Sequence, residues 1–169
     1  DELLTYFEDL SHRTFLIIEY GVETCNDKTL QLINRGHDFA CSRHAIEETA
    51  RRGIRVGAHI ILGLPGEDAE ESLPIISSLP LTTLKIHQLQ IIRGTRLAKM
   101  YAEEPFHLYT VEEYIQLIAQ YISLLRSDLV LERFVSQSPA ELLIAPHWGL
   151  KNYEFTQRLQ NYLRNTRMK

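Results

Sequence analysis

Between Ile17 and Glu67 the chain carries IEYGVET (residues 18–24), LINRGHD (32–38) and VGAHIILGLPGE (56–67), and this stretch decides the fold. Within the last segment Val56, Ala58, Ile60 and Leu62 alternate with Gly57, His59, Ile61 and Gly63, the period of two expected of a strand with unlike faces. One face is apolar and belongs against helices. The other holds a histidine between glycines, and glycine on a strand lets a ligand approach the backbone closely. Pro65-Gly66 ends the run as a turn. Upstream, Phe15, Ile17, Glu19, Gly21 and Glu23 share one parity, which directs two carboxylates toward the same cavity.

Working outward, helical spacing at Leu3, Leu4, Phe7 and Leu10 predicts a helix before a buried strand at Phe15 to Ile18. Asp27 is placed to cap a helix that ends near Arg35-Gly36, and a longer helix runs from about Ala40 to Gly53. Beyond the 56–64 strand, residues 69–79 read as helix with a break at Pro74, 84–92 as strand and 111–125 as a strongly amphipathic helix. A strand over 130–135 and a helix over 152–163 close the pattern. Trp148 reads as a packing anchor for that last helix, with lining a cavity mouth as the alternative.

Strands alternating with helices imply βαβ units. The expected fold class is therefore α/β: a partial (β/α) TIM-like barrel of about four parallel strands with outer helices, a single domain over 1–169. A closed eight-stranded barrel takes about 250 residues, more than this chain has. Functional side chains in such folds gather where strands end. That rim holds Glu19, Glu23, His59, Gly63, Gly66, His87, Gln88, Gln90, Gln137 and Ser138.

Composition excludes several classes. The net charge of −4, with both signs interspersed, offers no basic face for nucleic acid or anionic lipid. The longest apolar runs are too short to span a bilayer, and no signal-peptide pattern opens the chain. Two cysteines without a framework suit a reducing, cytoplasmic setting. The seven histidines show no metal-ligand spacing.

GVET, NRGHD, RRGI and GLPGE in this order resemble the radical S-adenosylmethionine (SAM) superfamily, in the subgroup of coproporphyrinogen dehydrogenase and the Elp3-type enzymes. The YhcC-like family is nearer still, through KIHQLQIIRGT (85–95), LYTVEEY (108–114) and ELLIAPHWGLKN (141–152). The resemblance covers nearly the whole chain. It implies an oxidoreductase that binds SAM and, in its intact form, a [4Fe-4S] cluster, draws on an external electron donor and generates a 5′-deoxyadenosyl radical to attack an unknown substrate. The cluster loop of the superfamily, CxxxCxxC, is missing, since Cys25 and Cys41 are the only cysteines. Its ligands are expected upstream of Asp1, and this segment alone is expected to be inactive, with no catalytic or metal-ligating residue of its own.

The resemblance carries cofactor contacts to Glu23, Arg35 and His59, together with Glu19 and Gly63 on the same rim. A carboxylate suits ribose hydroxyls and a guanidinium suits the methionyl carboxylate. Coproporphyrinogen dehydrogenase-like enzymes place glutamine at the position of Glu23 and aspartate at that of His59. Lys85, His87 and Arg133 are assigned to substrate.

Each has a plainer alternative. Glu23 can cap a helix, Arg35 can complement a helix dipole, His59 can be an interior histidine, and Glu19 can pair with Lys85 or Arg133. Two other classes fit the residues: a non-catalytic barrel-like binding module, or a complete small TIM-like lyase or hydrolase working through Glu19, Glu23 and His59.

Overall fold

The computed structural model describes residues 2–67 and 69–167. Strands β1 (Ile17–Glu23), β2 (Arg55–Leu62), β3 (Thr83–Gln88) and β5 (Val130–Arg133) form one sheet in the order β1-β2-β3-β5, and every pair in it is parallel. The crossovers are helical, as parallel pairing requires. They comprise α2 (Asp27–Leu32) and α3 (Phe39–Arg51), then α4 (Ala69–Ser78), then α5 (Arg96–Glu103) and α6 (Val111–Leu124). Helix α1 (Glu2–Ser11) precedes the sheet and α7 (Asn152–Arg167) follows it. The α/β class with a four-strand parallel sheet and helices around it is as the sequence predicts.

The apolar parity of each strand builds the core. Val22, Val56, Ala58, Ile60, Leu62, Leu84 and Ile86 are buried against Ile46, Leu73, Ile76, Tyr114, Ile118 and Tyr121 of the helices. Tyr114, Trp148 and Phe155 then join α6 to α7: Tyr114 lies 5.1 Å from Trp148, whose indole stacks on Phe155 at 6.1 Å. Trp148 is the packing anchor that the sequence suggests.

Local capping explains where the helices begin. Asn26, one residue before the expected cap, accepts from the Lys28 and Thr29 N–H groups, while Asp27 accepts from the Phe39 N–H and ties α2 to α3. Thr110 and Glu113 form a reciprocal capping box on α6.

Two strand boundaries expected from sequence are corrected. The first strand does not start at Phe15, which is 72% exposed beneath the Arg55 guanidinium (4.9 Å); pairing begins at Ile17, opposite Arg55. The strand expected over 84–92 ends at Gln88, because Ile91–Ile92 (β4) turn away to pair antiparallel with Leu143–Ala145 (β6). This small sheet and α5 carry local signals too short for periodicity to register. At the end of β1 the register with β2 shifts between Gly21 and Glu23, while the alternation of faces is kept. Val22, on the parity of Ile18 and Tyr20, is fully buried in the core, and Glu23 follows with φ of +63°.

Candidate functional site

The face of the sheet opposite the helices is polar. Register places Gly21 beside His59 and His59 beside Lys85, with Ile61 beside His87 one step further along. Glu19, His59, Lys85 and His87 therefore project from one surface, as strand parity predicts.

Two groups form on it. In the first, Lys85 Nζ is hydrogen-bonded to Glu19 Oε2 and lies 3.5 Å from Glu132 Oε2. The bond to Glu19, with the two carboxylate charges, holds the Lys85 ammonium above its usual pKa. Lys85 and Glu19 thus satisfy one another, the plainer of the alternatives that the sequence leaves open for Glu19. Arg133 pairs in register with Lys85 on the neighbouring strand.

The second group unites the three residues to which sequence assigns a cofactor. Arg35 Nη1 lies 3.5 Å from Glu23 Oε1, and His59 Nδ1 lies 3.5 Å from Glu23 Oε2. Arg35 Nη2 also donates to the Gly21 carbonyl oxygen at 2.6 Å. The Glu23 side chain is only 12% exposed, yet Arg35 Nε and His59 Nδ1 are buried without a hydrogen-bond partner. Buried polar atoms left in this state are costly unless something else meets them.

Gly21 makes the convergence possible. A Cβ there would stand 2.7 Å from Glu23 Oε1, 2.9 Å from His59 Cε1 and 3.0 Å from Arg35 Nη2. Sequence reasoning placed Gly21 on the inner face without giving it a role; the one available signal was glycine on the parity that carries the polar residues. Gly63 is not drawn into this group by any bond. With φ of +92°, its missing side chain makes room for the Tyr109 ring at 3.2 Å.

His87 extends the group. Its ring stacks on His59 with centroids 5.6 Å apart, and its Nε2 is buried and unpartnered. Burial, reinforced by the charge of His59 and Arg133, lowers the His87 pKa, so the imidazole is neutral at neutral pH.

Behind Glu23, Thr24 and Ser72 both donate to Glu67 Oε1, the latter at 3.2 Å. The Asn26 N–H donates to Thr24 Oγ1 at 3.0 Å, which joins this node to the α2 cap. Burial raises the Glu67 pKa even though both hydroxyl bonds oppose it. Gln88 braces the other end of the rim, taking the Ser136 N–H at 2.8 Å and returning a bond to the Ser136 carbonyl at 3.0 Å.

Cofactor fit can be judged from these atoms. A ligand bearing both a carboxylate and hydroxyl groups meets a guanidinium, a carboxylate and two imidazoles around a floor that only glycine leaves open. An iron–sulfur cluster does not fit. Cys25 is half-buried with its thiol pushed up to about 12 by burial, Cys41 is exposed on α3, and no group of three metal-ligating side chains occurs among the described residues.

Comparison with known proteins identifies the family and the fold. The profile of the Radical SAM superfamily matches residues 2–79, and that of the Radical_SAM C-terminal domain matches residues 81–165. Uncharacterized protein YtqA of Bacillus subtilis (strain 168) is 32% identical over 168 residues, covering 98% of this chain and 52% of that protein. Protein YhcC of Escherichia coli (strain K12) is 31% identical over 165 residues, covering 96% and 53%. The chain thus spans about half the length of these relatives. In fold it is similar to the archaeal Methanocaldococcus infernus Elp3 with an N-terminal deletion, at a TM-score of 0.79 and 20% identity over 98% of this chain and 39% of that one. No helix among the described residues is long and apolar enough to cross a membrane.

Proposed function

Because this chain belongs to the radical SAM superfamily, we propose that it forms the SAM-binding wall of a radical SAM oxidoreductase, with Glu23, Arg35 and His59 as the cofactor contacts. The observation that carries the reading is the convergence of these three side chains around Gly21. Arg35 pairs with the methionyl carboxylate, the carboxylate of Glu23 accepts from the ribose hydroxyls, and His59 adds a further hydrogen bond. When bound and reduced, SAM supplies a 5′-deoxyadenosyl radical. The thiolates for a [4Fe-4S] cluster, and the strands that continue the sheet into a barrel, come in this proposal from polypeptide outside these residues. An external electron donor in the cytoplasm completes the system.

The residues of this chain bind and orient. Glu19 and Lys85 neutralise one another on the inner face, so Arg35 is left as the cation beside Glu23. Neutral His87, with Nε2 unpartnered, offers the substrate a hydrogen bond beyond the SAM site, and Arg133 stands near it.

Equilibrium dialysis of labelled SAM against the intact protein tests this. Replacing Arg35 by alanine is expected to weaken binding by about tenfold or more, the worth of a charge-assisted pair. Equal affinity in Arg35→Ala and Glu23→Gln would remove the proposal.

A further inference from the structure

At the carboxyl ends of β3 and β5 lies a cavity of about 450 Å³ whose lining includes none of Glu23, Arg35 and His59. One wall is the Gln88, Gln90, Ser136 and Ser138 network; the other is the segment from Pro146 to Lys151, including Trp148. We infer that this cavity binds a small molecule, or a group of a larger one, that joins a carboxylate or phosphate to a neutral hydrogen-bonding body.

Three observations carry this. The first wall is held rigid by its own bonds: Gln88 is paired twice with the Ser136 backbone, and Ser138 Oγ donates to Gln90 Oε1 at 2.7 Å. A preformed wall of amides and hydroxyls presents both donors and acceptors at little ordering cost. Second, Trp148 is pinned by its stack on Phe155 and by an Nε1–H bond to the Tyr109 carbonyl at 3.0 Å, so it borders the cavity as a fixed apolar surface. Third, in a protein with net charge −4, the residues lining this cavity include no carboxylate. Their ionisable members are His147 and Lys151, both exposed. Glu154, which accepts from the Lys151 backbone N–H at 2.8 Å, lies outside this lining. An anionic group entering here meets Lys151 and no carboxylate in the lining, whereas a cation finds no anionic partner there. The location, outside the carboxyl ends of parallel strands, is where such folds bind ligands.

Fluorine NMR of the intact protein labelled with fluorotryptophan reads the cavity directly, the Trp148 resonance being assigned by its loss in Trp148→Phe. Inorganic phosphate and succinate are titrated separately, with tetramethylammonium as the cationic control at matched ionic strength. A saturable shift with one of the two anions and none with the control is expected, and which anion acts identifies the group. Lys151→Gln should weaken that binding by about fivefold, as for a partly exposed charge pair. Gln137→Glu, which adds a carboxylate to the lining, should weaken it further, and Arg35→Ala should leave it unchanged. No saturable shift with either anion, an equal response to tetramethylammonium, or indifference to both cavity substitutions would overturn the inference. Because the readout involves no SAM, its outcome is separate from that of the cofactor proposal.

Discussion

Arg35 Nη2 donates to the carbonyl oxygen of Gly21 at 2.6 Å, tying the loop after α2 to the backbone of β1. A guanidinium can hold this carbonyl with one nitrogen and face Glu23 with the other, as Arg35 Nη1 does at 3.5 Å. A lysine has one nitrogen on a flexible stem. Arg35→Lys is therefore expected to keep the fold but lose most of the effect of the arginine on SAM, weakening it by about tenfold. Dialysis, with a circular dichroism spectrum to verify the fold, decides the matter; wild-type affinity in Arg35→Lys would show that charge alone suffices.

Gly21→Ala places a methyl group where 2.7–3.0 Å separates it from three polar side chains. The substitution should cost about 1–3 kcal/mol, as overpacking does, and should abolish SAM binding by spreading Glu23, Arg35 and His59. Urea denaturation and dialysis measure the two effects. A tolerated methyl with unchanged binding would mean that the three side chains are free to move apart.

Glu67 gives a pH dependence of defined sign. Its pKa is raised in the fold, chiefly by burial, so the folded state favours the protonated acid. The stability that follows is complete below the ordinary carboxyl pKa and declines as pH rises through the folded value. Glu67→Gln keeps a neutral group beside Thr24 and Ser72. It is expected to raise the melting temperature at neutral pH relative to the wild type and to give no such gain in acid. A gain that did not vary with pH would exclude the ionisation of Glu67 as its origin.

Tyr114 is fully buried and its hydroxyl donates to the Phe134 carbonyl at 3.0 Å. Tyr114→Phe leaves that carbonyl without this donor while preserving the ring contacts with Trp148 and Phe155. A loss of about 1–2 kcal/mol is expected in denaturant titrations. A negligible loss would mean that the Phe134 carbonyl finds another donor.

Glu19→Gln removes one of the two carboxylates facing Lys85, while Glu132 stays 3.5 Å away. These groups are partly exposed and screened by solvent, so the change should cost less than about 1 kcal/mol. A double-mutant cycle with Lys85→Met measures the coupling, and a value of several kcal/mol would show the pair to be far better shielded than its exposure implies.

The inner face shows which parts of the site could be read in advance. Alternation at 56–63, and of Lys85 and His87 against Leu84 and Ile86, put His59, Lys85 and His87 on one face, because strand parity is a local property of the chain. It left open whether Glu19 would pair with Lys85 or Arg133, and it gave no sign that Gly21 would be the floor beneath Glu23, Arg35 and His59. Those outcomes depend on register between strands and on a loop returning across β1. The break after Gln88 was hidden for a similar reason: Leu89 to Ile92 is as apolar as a strand, and only pairing with Leu143–Ala145 diverts it.

By itself, then, the sequence determined the α/β class, the order of the main elements, the division of each strand into an apolar and a polar face, and the residue types available for chemistry. These follow from periodicity and side-chain chemistry, which act over a few residues. Tertiary structure alone decided that Arg35 reaches Gly21 and Glu23, and that Gln88, Ser136 and Trp148 border one cavity. Such contacts join residues distant in the chain, and their geometry is set by the packing of the whole sheet against its helices.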